Sequence, residues 1–319
     1  MSESPVVTTP AFKDRRAGLI VFGVLEILIG CFCTLMIPLM LWGQAIQAQM
    51  TKAPPDYSML VPAALIYATL GVAFIWLGIG SILCRRWARA LLLILSWSWL
   101  LVGVIAVGAN AFLMPRILET LPTGPGKTIV LITMLVTFTV IMVIVPGVMV
   151  LFYRGKNVKA TCEARDPVTR WTDACPLPVL AASLWLGFGA LSMLSMPLGY
   201  KSVMPFFGTL LTGFPATLFF VIWAVGSVWL AWAFYRLKPA AWWIVVAAFV
   251  LISVSSTITF ARVDLMEMYR QMGYPQQQIE QIQKYSFFSG RSMAVWMVCC
   301  MVPWLGYLLW IKKFFCRSA

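Results

Sequence analysis

Apolar stretches of 20 or more residues recur along the whole chain, and nothing else in the sequence constrains its fold as strongly. Eight are separable, at roughly 18–43, 60–84, 88–114, 128–153, 178–199, 208–235, 240–261 and 291–311. At about 1.5 Å of rise per residue, each is long enough to cross about 30 Å of hydrocarbon as a helix. The expected fold is all-α: a polytopic membrane protein of eight transmembrane helices. Composition agrees, because only 11% of the residues are charged where soluble chains carry about a quarter.

A net charge of +13 raises the question of nucleic acid, and the position of the charge answers it. Of the 24 lysines and arginines, 16 fall in alternate hydrophilic segments. They are Lys13, Arg15 and Arg16, then Arg85, Arg86 and Arg89, then Arg154, Lys156, Lys159, Arg165 and Arg170, then Arg236 and Lys238, then Lys312, Lys313 and Arg317. The acidic residues divide evenly between the two sides. This is the lysine and arginine bias of cytoplasmic loops, not a nucleic-acid surface. With eight crossings both termini are expected in the cytoplasm, with the chain in the plasma or inner membrane. Trp87, Trp242, Trp243 and Trp310 sit at the same boundary as aromatic anchors, with Trp42 at the opposite one. The first span is read as an uncleaved anchor.

The two halves echo each other. Gly30–Leu39 reads GCFCTLMIPL and Gly189–Leu198 reads GALSMLSMPL, an offset of 159. Val61-Pro62-Ala63 and Phe214-Pro215-Ala216 open the next span of each half, and Trp76-Leu77 matches Trp229-Leu230 at an offset of 153. Pro146 and Pro303 stand about eight residues before the basic end of the last span in each half. A proline within a span kinks the helix and frees a carbonyl, so shared prolines imply shared packing. Four crossings per half leave the halves in the same orientation, as two parallel four-helix repeats. The expected organisation is a tail (1–17), repeat one (18–153), a linker (154–177), repeat two (178–311) carrying an outer helical hairpin (262–290), and a tail (312–319).

Histidine is absent, which removes the commonest metal ligand, proton shuttle and general base. The eight cysteines (Cys31, Cys33, Cys84, Cys162, Cys175, Cys299, Cys300 and Cys316) lack the paired spacing of a zinc site. Gly126-Lys127-Thr128 ends like a phosphate-binding loop, but Leu121 stands where glycine is required. Gly78-Ile79-Gly80 lies within a span and serves packing. Neither Asn110 nor Asn157 begins a glycosylation sequon. No catalytic residue, metal or cofactor is assigned.

Polar residues inside the spans are the candidate sites. Glu26 is the only acidic one, about ten residues into the first span. It shares a small-and-polar face with Gly23, Gly30, Cys33 and Thr34, the kind of stripe that lets another helix approach closely. Glu26 either binds a cation or relays a proton, or it is a structural carboxyl, protonated or paired with Arg85, Arg86 or Arg89. Ser253, Ser255, Ser256, Thr257 and Thr259 crowd the outer part of the seventh span, with Asn110 at similar depth on the third. A polar vestibule built on Glu26, Asn110, Ser253, Ser256 and Thr257 is one reading, and hydroxyls bonding back to the preceding turn are the other. Asp264 and Glu267 in the outer hairpin form either a cation site or a solvated helix face. On the cytoplasmic side, Arg85, Arg86, Arg89 and Trp171 are candidates for contact with a protein partner or with lipid. The expected function is non-enzymatic, as an accessory, scaffold or sensing component. The alternative is a transporter or channel for a small solute or ion working at the interface between the repeats, with a lipid-modifying enzyme third.

Overall fold

The computed structural model describes residues 12–51, 57, 60–119, 127–199, 201–274, 276–284 and 290–316. The tail before residue 12, Pro275, the 285–289 end of the outer hairpin, Gly126 of the loop-like motif and residues 317–319 lie outside this set. Among the described residues, seven helices are long and apolar enough to cross a membrane. The chain is a multipass membrane protein.

In chain order the helices are α1 (Arg16–Thr51), α2 (Val61–Ile82), α3 (Arg86–Glu119), α4 (Lys127–Thr139), α5 (Val145–Tyr153) and α6 (Lys156–Arg165). A three-residue 3₁₀ turn at Trp171–Asp173 precedes α7 (Leu177–Gly199). A hairpin of β1 (Val203–Phe206) and β2 (Thr209–Thr212) leads to α8 (Phe214–Tyr235) and α9 (Pro239–Arg262). Then come α10 (Leu265–Met272), α11 (Gln276–Lys284) and α12 (Gly290–Phe315). The backbone contacts define two compact units, one of Met1–Phe32 and Gly71–Ala174, the other of Cys33–Leu70 and Cys175–Ala319.

In the first unit, α1 and α2 meet backbone to backbone. A Cβ on Gly23 would come within 2.7 Å of the Gly78 carbonyl oxygen, and one on Gly78 within 2.6 Å of the Gly23 oxygen. One on Gly30 would lie 2.9 Å from the Gly71 oxygen. Such close approach is how helices associate where lipid offers no hydrophobic drive. α4 and α5 are joined by a π-helical turn, Val140–Ile144, directly ahead of Pro146. Proline lacks the amide and clashes with the carbonyl four residues back, and a π-turn absorbs both defects. That carbonyl, of Met142, faces Gly103 on α3 so closely that a Cβ there would collide with it.

In the second unit, α7 runs along α8 and α9 along α12. Ser183 Oγ donates to the Ala231 carbonyl (2.7 Å), and Trp242 Nε1 to that of Leu308 (2.8 Å). The Phe234 and Phe315 rings meet 5.0 Å apart, and the Tyr307 hydroxyl donates to the Pro178 carbonyl. These contacts gather the start of α7, the end of α8, the start of α9 and the end of α12 at one end of the unit.

Two departures from expectation follow from local chemistry. The sixth span does not begin near 208. Residues 203–212 form the β1–β2 hairpin instead, because Phe207 (φ 42°) and Gly208 (φ 93°) make a two-residue turn with both central residues at positive φ. Gly213 (φ 65°) and Pro215 then start α8. The 154–177 linker carries a helix the sequence analysis did not assign, Lys156–Arg165. Beyond α9, Asp264 accepts from the Met266 amide as N-cap of α10, and Gly273 closes it in the left-handed conformation. Leu265, Met266 and Ile279 form the apolar contact between α10 and α11.

Candidate functional site

Glu26 lies on the buried face of α1 with Leu19, Gly23 and Gly30, at spacings of four, three and four. It is 1% exposed, and neither carboxylate oxygen has a hydrogen-bond partner. None of the three arginines at the α2–α3 turn reaches it. Toward the N-terminal end of α1, the Tyr153 hydroxyl bonds to Ser81 Oγ (3.0 Å) and Ser81 donates to the Leu19 carbonyl (2.9 Å). Ser81 spends its one proton on that carbonyl, so Tyr153 is the donor of the pair. The Phe22 ring stacks on Phe152 at 4.4 Å and lies 5.8 Å from the Tyr153 ring. These contacts join α1, α2 and α5 next to Glu26, and sequence alone did not single out Tyr153 or Ser81.

Among the other polar groups of the spans, Asn110, Ser255 and Thr259 are engaged by backbone. Asn110 Nδ2 donates to the Ala106 carbonyl one turn back (2.9 Å). On α9, Ser255 Oγ and Thr259 Oγ1 accept from the Phe207 and Gly208 amides, each at 2.9 Å. They hold the β-turn to the helix. Ser253 and Ser256 are buried, and Thr257 Oγ1 is buried with no partner. Glu26 and Asn110 belong to the first unit, and Ser253, Ser256 and Thr257 to the second. Glu267 pairs with Arg270 (3.4 Å) and accepts from Gln271 (3.1 Å), so with Asp264 capping α10 both outer carboxylates are engaged locally.

The basic residues of the α2–α3 turn are engaged by the linker. Asp166, 2% exposed, accepts from Arg170 (2.8 Å) and from the Arg86 amide (3.3 Å), with Arg85 at 3.8 Å. The Arg86 guanidinium lies 3.6 Å from Glu163 and 3.4 Å from Asp173. Arg15 N donates to Thr161 Oγ1 (3.0 Å), and Arg165 pairs with Asp14 (2.9 Å). The Arg170 hydrogen bond holds the Asp166 carboxyl below the usual carboxylate range, against the opposing effect of burial. Arg165 does the same for Asp14. Arg89 Nε is buried without a partner, and Trp171 is 45% exposed. Sequence reasoning places Asp166 and Asp173 with Arg165, Arg170 and Trp171 on a mixed-charge face of the linker, but it missed Glu163 and the pairing of these acids with Arg85 and Arg86.

Burial pushes the Cys162 thiol up to about 12 and that of Cys175 up to about 11, so both stay protonated and unreactive at neutral pH. Among the described residues, no three of His, Cys, Asp or Glu gather where a metal could bind. The fold and these sites define a multipass helical membrane protein with a buried, unpartnered carboxyl at Glu26 and a folded, ion-paired linker. No family model, curated protein or solved structure matches the chain.

Proposed function

We propose that the chain is a non-enzymatic accessory or sensing component of the plasma or inner membrane, built as two parallel four-helix repeats that cross the bilayer eight times. Several features support the repeat. α2 and α8 are each 22 residues long and start 153 residues apart. Each ends in a non-glycine residue at positive φ, Cys84 (53°) and Leu237 (55°), again 153 apart. The backbone bonds there match one for one: Arg85 to Gly80 (2.9 Å) and Lys238 to Ala233 (3.0 Å). Gly78 marks where α2 touches α1, and Ala231, 153 residues on, marks where α8 touches α7. α12 supports the eighth crossing: its 26 residues run along α9, with Phe315 beside the end of α8. The charge bias then puts both chain ends and the linker in the cytoplasm.

One observation carries the functional reading. Of the polar groups at the depth of a solute path, Asn110, Ser255 and Thr259 are bonded to the protein's own backbone, while Ser253 and Ser256 are buried and Thr257 Oγ1 is buried without a partner. The surface offered for recognition is the folded linker face, on which Trp171 is 45% exposed. Capture of the tagged chain from native membranes in mild detergent, followed by quantitative mass spectrometry, tests this. A stoichiometric partner that is lost on Trp171→Ala supports the accessory role. Solute or ion flux by the purified chain alone in liposomes overturns it.

Transport is the second reading, and Glu26 favours it. A buried carboxyl with both oxygens unpartnered in a span is a common mark of ion or proton pathways.

A further inference from the structure

The basic residues of the α2–α3 turn and linker and those at the α8–α9 turn and the end of α12 meet different partners. In the first unit, Arg85, Arg86, Lys159, Arg165 and Arg170 all lie against carboxylates. In the second unit, the cations at the α8–α9 turn and the end of α12 lie against aromatic rings. Lys312 Nζ stands 4.8 Å from the Trp243 ring centre and 5.0 Å from that of Trp242. Lys313 stands 4.6 Å from Trp310, and Lys238 4.2 Å from Trp232. The described acidic residues of this unit, Asp264, Glu267 and Glu280, all follow the opposite end of α9. Cation–π contact holds these ammonium groups in place without neutralising their charge, and no described carboxylate of this unit lies at the same end.

An apolar groove of about 430 Å³ begins under the same tryptophan. Trp243, Val246, Val250 and Val254 line it along one face of α9, and Phe207 of the β-turn closes its far end. Trp243 to Val254 is a rise of about 16 Å, about half the thickness of a bilayer core. The groove is therefore one leaflet deep, with Lys312 at its mouth.

We propose that this face of α9 is a binding site for an anionic phospholipid. Lys312, with Lys238 and Lys313 at the same end of the unit, takes the phosphate, and one acyl chain lies in the groove from Trp243 to Phe207. A zwitterionic headgroup fits less well, since among the described residues of this unit no carboxylate lies at this end to meet its ammonium. The proposal rests on the chain spanning a membrane and not on its having a protein partner, so the two fail separately.

The test is photo-crosslinking of the full chain in phosphatidylcholine vesicles doped with a diazirine-acyl phosphatidylglycerol or its phosphatidylcholine counterpart. Crosslinks concentrated between Val246 and Val254, favouring the anionic probe, are expected. Lys312→Gln lowers that preference roughly fivefold, the factor one basic residue contributes at an anionic surface, and Lys312→Arg restores it. Val250→Trp fills the groove and removes the α9 crosslinks of both probes. Equal labelling by the two probes, labelling spread over all lipid-facing helices, or no response to Lys312→Gln overturns the proposal.

Discussion

Cys84 and Leu237 hold the same left-handed backbone, φ 53° and 55°, at the ends of α2 and α8. Side chains other than glycine rarely adopt it, because the Cβ crowds the neighbouring carbonyl. In both places the chain turns within three residues from one apolar helix into the next, and the amide after the turn closes the preceding helix. The local strain is expected to show in stability. Leu237→Gly should raise it by about 1 kcal/mol and Leu237→Val should lower it, measured as the unfolding midpoint in detergent.

Helix contact through glycine backbones gives a second expectation. Gly78→Ala and Gly103→Ala drive a methyl into the carbonyls of Gly23 and Met142, and each should cost about 1–3 kcal/mol. Gly226→Ala, with open space around it, should cost nothing. Thermal unfolding of the three variants side by side checks this.

Glu26 is buried without a hydrogen-bond partner for either oxygen. Glu26→Gln keeps the shape and removes the ionisable group, so stability should hold or rise. Glu26→Lys places a fixed cation in the span and should cost about 2.5–3.5 kcal/mol, seen as lost accumulation in the membrane. If Glu26 binds a cation, Glu26→Gln also abolishes the stabilisation that cation gives the purified wild-type chain.

Asp166 ties the linker to the α2–α3 turn. Its carboxyl is held below the ordinary value by Arg170, so the stabilisation is fully present above the unfolded value of about 3.9. It is lost as pH falls through the lower folded value. Hydrogen exchange in residues 156–173 should stay slow from neutral pH to about 5 and quicken only in stronger acid, after correction for intrinsic exchange. Asp166→Asn should make opening about 1–3 kcal/mol easier and flatten this dependence.

Much of the architecture is legible in the sequence, because bilayer thickness writes itself into the length of apolar runs. The first, second and seventh spans were read within a few residues, apart from α1 continuing to Thr51. The small-residue face of α1 was read from spacing alone, though Thr34 proved exposed. The β1–β2 turn was not, since Phe207-Gly208 is apolar enough to pass as the start of a span. Nor were the partners of Arg85 and Arg86. Ion pairs across 80 residues are set by how the linker folds back, and charge counting sees only which side they are on. The same limit applies to the Ser255 and Thr259 hydroxyls, whose acceptor role depends on a turn about 50 residues earlier.

The central claim is that four membrane-embedded helices occur twice in the same orientation, and the side on which α12 ends tests it most directly. A split fluorescent reporter fused after α12 should assemble with a cytoplasmic partner fragment, as should one inserted in the linker after Asp166, while one between α10 and α11 should not. A reporter after α12 that assembles only with an external fragment would mean an odd number of crossings and would contradict the account.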